Sequence, residues 1–144
     1  MKRNKNIFLG KKVLIYGLGK SGISTFKFLR NKANINLFDD NLKKYQKLIS
    51  FNKILKKNFD AIIVSPGIDI LNCKLSRFLK KNFDKIYTDL DIFYSYFDNE
   101  SISITGTNGK STTAKILHNV LLDQKKDVRL VGNIGNPLLS EKKI

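Results

Sequence analysis

The chain has 144 residues, 27 of them Lys or Arg against 12 Asp or Glu, for a formal charge of +15; 42% are apolar and 27% charged. This is the composition of a folded chain rather than a disordered tail, and a chain near 150 residues can bury roughly 70% of its unfolded surface. Cys73 is the only cysteine and His118 the only histidine, which excludes an internal disulfide and a Cys/His zinc cluster.

Apolar runs alternate with amphipathic ones along the chain. Residues 1–6 are basic, and Ile7, Phe8 and Leu9 make too short a run for a signal peptide. Val13, Leu14, Ile15 and Tyr16 predict a strand covered on both faces. A helix is expected after Gly22, with Ile23, Phe26, Phe28 and Leu29 as its apolar positions. A second strand is expected at 35–38, a helix over 42–51, a third strand at 61–64 and a helix face at Leu75, Phe78 and Leu79. Ile86 and Tyr87 predict a short strand, and 90–97 a last helix. Such alternation implies parallel strands with right-handed crossovers, a doubly wound α/β sheet.

A polar break at 97–100 separates this region from a second one, dividing the chain into domains 1–97 and 98–144. Beyond the break a strand is expected at 101–105, a loop at 106–109 and a helix from Lys110 to about Gln124. That helix has an apolar face of Ala114, Ile116, Leu117, Val120 and Leu121, and a further strand is expected at 128–131. Two strands and a helix cannot close a core. They must either dock on the first domain or be the front portion of something longer.

Four segments carry chemistry. Gly17-Leu18-Gly19-Lys20-Ser21-Gly22 follows a strand and opens a helix. Gly17 permits the tight turn, Gly19 lets a phosphate approach the backbone, and Gly22 lets helix and strand pack closely. The free N–H groups of the helix start then suit a diphosphate, and Asp39, about 20 residues after Gly19, is placed for a ribose or base. Thr105-Gly106-Thr107-Asn108-Gly109-Lys110-Ser111-Thr112 ends as a phosphate-binding loop, but Ile104 stands where the common pattern has its first glycine. In this shortened loop backbone N–H groups would wrap phosphates, Lys110 would neutralise their charge, and Ser111 or Thr112 would offer a hydroxyl to Mg²⁺. Ser65-Pro66-Gly67 closes the third strand at the edge where doubly wound sheets bind ligands. Gly132-Asn133-Ile134-Gly135 either makes a turn or brings Asn133 to the phosphates and Mg²⁺.

Other features have plainer explanations. Only Arg3, Arg30, Arg77 and Arg129 are arginine; lysine, Asn, Ile, Phe and Tyr all have A/T-rich codons, so base composition explains the charge and no nucleic-acid partner is expected. No apolar run approaches the ~20 residues of a membrane span, so no membrane partner is expected and a cytoplasmic location is. His118 is expected at the surface and Cys73 as an inert thiol. Phe93, Tyr94, Tyr96 and Phe97 are expected to pack rather than to stack on bases.

The glycine motif at 17–22, Ser65-Pro66-Gly67-Ile68, residues 105–112 and residues 132–135, in that order and spacing, resemble the Mur ligases of peptidoglycan precursor synthesis. The resemblance implies a Rossmann-like UDP-sugar-binding domain followed by the start of a P-loop-type α/β ATPase domain. It implies UDP-N-acetylmuramoyl-L-alanine, D-glutamate and ATP as ligands, Mg²⁺ as cofactor, and a monomer. Gly17, Gly19, Lys20, Ser21 and Gly22 would cradle the diphosphate, and Asp39, with Asp40 and Asn41 beside it, would lie near uracil and ribose. Ser65, Pro66 and Gly67 would close on the same ligand. Residues 106–112 would hold ATP, with Lys110 catalytic on the phosphates and Ser111 on Mg²⁺, and Asn133 beside the cation. The reaction implied moves the γ-phosphoryl group of ATP onto a carboxylate, and an amine displaces phosphate from the acyl phosphate. Family members have a complete central domain and a C-terminal domain, so this chain by itself is expected not to ligate. The competing expectations are an NAD-dependent oxidoreductase built on the glycine motif and a non-catalytic UDP-sugar-binding module.

Overall fold

The structure is a computed structural model that describes residues 7–42 and 44–140. Among them four strands, β1 (Lys12–Tyr16), β2 (Asn34–Phe38), β3 (Ala61–Val64) and β4 (Ile86–Tyr87), form one all-parallel sheet in the order β2-β1-β3-β4. The helices are α1 (Lys20–Leu29), α2 (Phe51–Leu55), α3 (Ser76–Lys81), α4 (Asp89–Tyr96) and α5 (Lys110–Asp123). The chain steps outward from β1 to β2, then returns across β1 to β3. The strand order therefore reverses between β1 and β3, and a crevice opens at their carboxyl ends.

The two inner strands are wholly apolar in their buried residues because both sheet faces are covered. Side chains alternate between faces. Val13, Ile15 and Ile63 pack with Phe26 and Leu29 of α1 and with Ile92 and Phe93 of α4. Leu14, Tyr16, Ile62 and Val64 pack with Ile54 of α2 and Leu79 of α3 on the opposite face. Phe93, Tyr94, Tyr96 and Phe97 pack as expected: Phe28 meets Tyr96 edge to face at 5.1 Å, and Phe93 meets Phe97 at 5.3 Å.

The helix expected over 42–51 is not formed. β2 is the edge strand, and its outer backbone groups need partners. Residues 47–49 supply them: the Leu37 N–H donates to the Lys47 carbonyl (3.0 Å), and the Ile49 N–H donates to the Leu37 carbonyl (2.9 Å). Lys47 adopts φ +58°, which no helix allows, and the helix begins only at Phe51. Pairing with the sheet edge outweighs the helical spacing of Leu42, Tyr45, Leu48 and Ile49.

The strands expected at 101–105 and 128–131 are not formed either. A strand exists by pairing, and β4 has no described neighbour beyond β3; residues 101–105 run without regular structure, and 128–131 make one bridge, Val131 with Asn136. The helix between them forms as expected, but no residue of α5 is buried. Ala114, Leu117 and Leu121 are half-buried, while Ile116 and Val120 are 59% and 45% exposed. His118, expected at the surface, is half-buried. Docking on the first region is achieved instead by the 3-10 turn at Leu138–Ser140, whose Leu138 and Leu139 sink into the core between α1 and α4. Among the described residues no helix is long and apolar enough to cross a membrane.

Candidate functional site

The glycine loop sits at the switch point. Gly17 takes φ +91°, and a Cβ there would come within 2.9 Å of the Ser65 Cβ and 3.0 Å of the Ile68 side chain. Its N–H donates to the Phe38 carbonyl (2.9 Å), and its carbonyl accepts the Ser65 hydroxyl (2.7 Å). Ser65 also donates its N–H to the Tyr16 carbonyl, so its observed contacts tie β3 to the loop. Pro66 and Gly67 stay exposed beside it. Gly22 packs against the strand end so closely that a Cβ would stand 1.8 Å from the Gly17 carbonyl oxygen.

Gly19 differs from its neighbours. It N-caps α1 in ordinary extended backbone (φ −69°, ψ −168°), makes no side-chain cap, and has nothing within 4 Å of the place a Cβ would occupy. No acidic residue lies in the first turn of α1. The free N–H groups and positive dipole end of α1 therefore face open space, with Lys20 and Ser21 beside them. An anion is the ligand such an end accepts.

Asp39 holds this loop in shape. Its Oδ2 accepts the Leu18 N–H (2.7 Å), and its Oδ1 accepts the N–H groups of Asn41 (2.9 Å) and Leu42 (3.1 Å). Partial burial pushes its carboxyl upward, but the three backbone donors, with Lys74 nearby, outweigh that and hold it below the usual range. A folded-state value below the unfolded one contributes stability that is complete above about pH 4 and lost as pH falls through the folded value. Asp39→Asn is therefore expected to be less stable than the wild type at neutral pH, with the gap closing on acidification. Urea midpoints between about pH 3 and pH 7 read this directly; a gap that persists at the acid end would count against it.

An open cavity of about 800 Å³ lies outside Asp39, walled by Phe38, Leu42, Tyr45, Ser50 and Lys53. Asp40 turns away from the glycine loop. Its Oδ2 accepts the Tyr16 hydroxyl (2.7 Å), and its carbonyl accepts Lys74 Nζ (2.9 Å). Burial, then the bond to Asp40 and the nearness of Cys73, drive the Tyr16 phenol far above its ordinary value. Through these two bonds Asp40 braces the end of β1. Cys73 is half-buried with its Sγ toward the Ile70 carbonyl.

The second loop is built on glycine conformations: Gly106 has φ +144°, and Gly109, at φ +73°, N-caps α5. The Lys110 ammonium curls back over the loop and donates to the carbonyls of Gly106 and Thr107. The first turn of α5 carries no acid, and Ser111 and Thr112 are exposed there beside Thr107 and Asn108. A cation folded over an uncapped helix end is a donor set that fits phosphate oxygens. Asn133 is exposed on a separate turn, where Gly132 has φ +113° and Gly135 φ +76°. Glycine is required at 135, since a Cβ would overlap the Leu130 carbonyl at 2.1 Å. Ser111 and Asn133 offer neutral oxygens of the kind Mg²⁺ accepts. Among the described residues no group of three His, Cys, Asp or Glu could hold a metal.

One residue of the crevice escaped the sequence reading. The Asp89 carboxyl, half-buried at the start of α4, is pushed above its usual range by burial, against the pull of its own N–H, that of Leu90 and the Ser21 side chain. The local pattern shows only the capping box beside it, where the N–H and hydroxyl of Thr88 both donate to Asp91 Oδ2 (2.7 and 2.8 Å).

The sheet and its loops define a doubly wound parallel α/β protein with its crevice at the carboxyl ends of β1 and β3. No protein-family model matches the chain. It is 37% identical over 139 residues to the UDP-N-acetylmuramoylalanine–D-glutamate ligase of Rickettsia bellii, covering 89% of this chain and 30% of that protein. The ligase of the same name from Rickettsia prowazekii is 34% identical over 95% of the chain and 33% of its own length. That from Francisella tularensis subsp. tularensis is 38% identical over 90% of the chain and 30% of its own length. The chain is thus a relative of these D-glutamate ligases and spans about 30% of their length.

Proposed function

We propose that residues 1–97 form the UDP-substrate-binding domain of an ATP-dependent ligase that joins D-glutamate to UDP-N-acetylmuramoyl-L-alanine, and that residues 98–144 begin its ATP-binding domain. The likeness to ligases of that name over nine-tenths of the chain carries this reading. The geometry suits it. The open end of α1 at Gly19, flanked by Lys20 and Ser21, takes the diphosphate, and the cavity beside Asp39 has room for a base and ribose. Ser65, Pro66 and Gly67 flank the same ligand from β3. Gly106, Thr107, Asn108, Gly109, Lys110, Ser111 and Thr112 would hold the phosphates of ATP, with Ser111 and Asn133 toward Mg²⁺. When bound, Mg-ATP supplies the phosphoryl group that turns an unreactive carboxylate into an acyl phosphate. This chain's part is to bind, orient and neutralise charge, the last through Lys110.

Calorimetric titration of UDP-N-acetylmuramoyl-L-alanine, with NAD as comparator, tests the reading. The UDP-sugar is expected to bind and NAD not to. Gly19→Ala is expected to weaken binding at least about tenfold while leaving thermal stability unchanged, because its methyl fills the space a phosphate needs and touches nothing in the free protein. Binding of NAD in place of the UDP-sugar would overturn the proposal.

A further inference from the structure

We propose that the cavity at the amino ends of β1 and β2 is a second anion site, built for an oligophosphate chain and separate from the crevice. It does not depend on what the crevice binds. The cavity has a volume of about 630 Å³ and is lined by Lys12, Lys56 and Lys57 with Asn34, Asn36 and Asn58. That volume is in the range of small-ligand pockets. No described residue of its lining is acidic.

The sheet explains why this place is polar. Parallel register sets Lys12 beside Asn34 and Leu14 beside Asn36, so these side chains share the face that carries α2 and α3. On that face β1 and β3 bury Leu14, Tyr16, Ile62 and Val64, and β2 buries Phe38. Asn34 and Asn36 interrupt the apolar face at its amino end. They can stand there because α2 begins only at Phe51, has five residues and buries Ile54 alone. The buried Phe59 walls the cavity on the core side.

The polar groups present donors. Lys57 Nζ donates to Oδ1 of the half-buried Asn36 (2.9 Å). An ammonium has three N–H groups, so two remain, and with Oδ1 engaged Asn36 offers its NH₂. Among the described residues no carboxylate pairs with Lys12, Lys56 or Lys57. The neighbouring Asp60 accepts the backbone N–H of Lys12 instead (2.8 Å). Lys47 also borders the cavity, with its ammonium 6.0 Å from the centre of the Phe26 ring. Lysine serves phosphate as a point charge. Three ammonium groups and the amide donors around one space match a chain of phosphates, each carrying its own charge.

The test is an NMR titration of inorganic tripolyphosphate into the full chain at about 0.15 M salt, where exposed charges more than about 8 Å apart are largely screened. The amides of residues 12, 34–36 and 56–59 are expected to shift, and they are read apart from those of the two glycine loops. Asn36→Leu keeps the formal charge at +15 yet frees Lys57, and is expected to weaken this site about tenfold. Lys57→Gln, at an exposed position, should do the same and decides the matter if Asn36→Leu does not fold. Lys80→Gln with Lys81→Gln removes two exposed charges from α3 and is expected to change the affinity by less than about twofold. ADP binding as tightly as tripolyphosphate would assign the site to the phosphates of a nucleotide, and tripolyphosphate alone to the free chain; both support it. Shifts confined to the glycine loops, an equal loss in the α3 variant, wild-type affinity in Asn36→Leu, or equal binding of citrate would each overturn it.

Discussion

Gly22→Ala is expected to destabilise the chain by about 3 kcal/mol and to lower its melting temperature by about 10 °C. The methyl would stand 1.8 Å from the Gly17 carbonyl oxygen, 2.9 Å from its carbon and 2.9 Å from Ser65 Oγ. Two of these atoms are backbone, so no rotamer relieves the overlap. The carbonyl cannot swing aside cheaply, because it accepts the Ser65 hydroxyl while the N–H of the same residue is bonded to Phe38. Relief requires α1 to lift from β1, and with it Phe26 and Leu29 from the core. Calorimetric melting beside Gly19→Ala gives the comparison. A Gly22→Ala melt within about 2 °C of wild type would mean that helix and strand are not packed this closely.

The double substitution Leu138→Ala with Leu139→Ala is expected to cost about 4 kcal/mol or more, as large-to-small changes at buried leucines do. Both side chains are 7% exposed and lie in the cluster shared by α1, α4 and the sheet. They are the described anchor of the second region in the core, since α5 buries no residue. Ile116→Ala, on the exposed side of α5, is expected to change stability by less than about 0.5 kcal/mol. Urea unfolding of the two variants reads the contrast. A double variant as stable as wild type would show that residues 138–140 are not docked between α1 and α4.

The parts of the site legible in the sequence are those whose cause is local. Gly17, Gly19 and Gly22 announce a strand-to-helix turn because the backbone there needs a positive φ, an open approach and a close one, and the structure has all three. Gly109 and Lys110 announce the second loop in the same way. The buried strands read directly as unbroken apolar runs. Spacing singles out Asp39 but not its bonds to Leu18, Asn41 and Leu42, which depend on how the chain folds back.

By itself the sequence determined the four strands of the sheet, the two glycine loops and the likeness to the ligases. Each follows from residue types over a few neighbouring positions, where sterics and side-chain period decide the outcome. Only the tertiary structure decided the rest. Residues 47–49 pair with the β2 edge because unpaired backbone groups there outweigh a helical pattern. Residues 101–105 and 128–131 join no described sheet, because a strand needs a neighbour that local propensity cannot supply. Leu138 and Leu139 dock where α1 and α4 leave apolar surface. These outcomes rest on contacts between residues far apart in the chain.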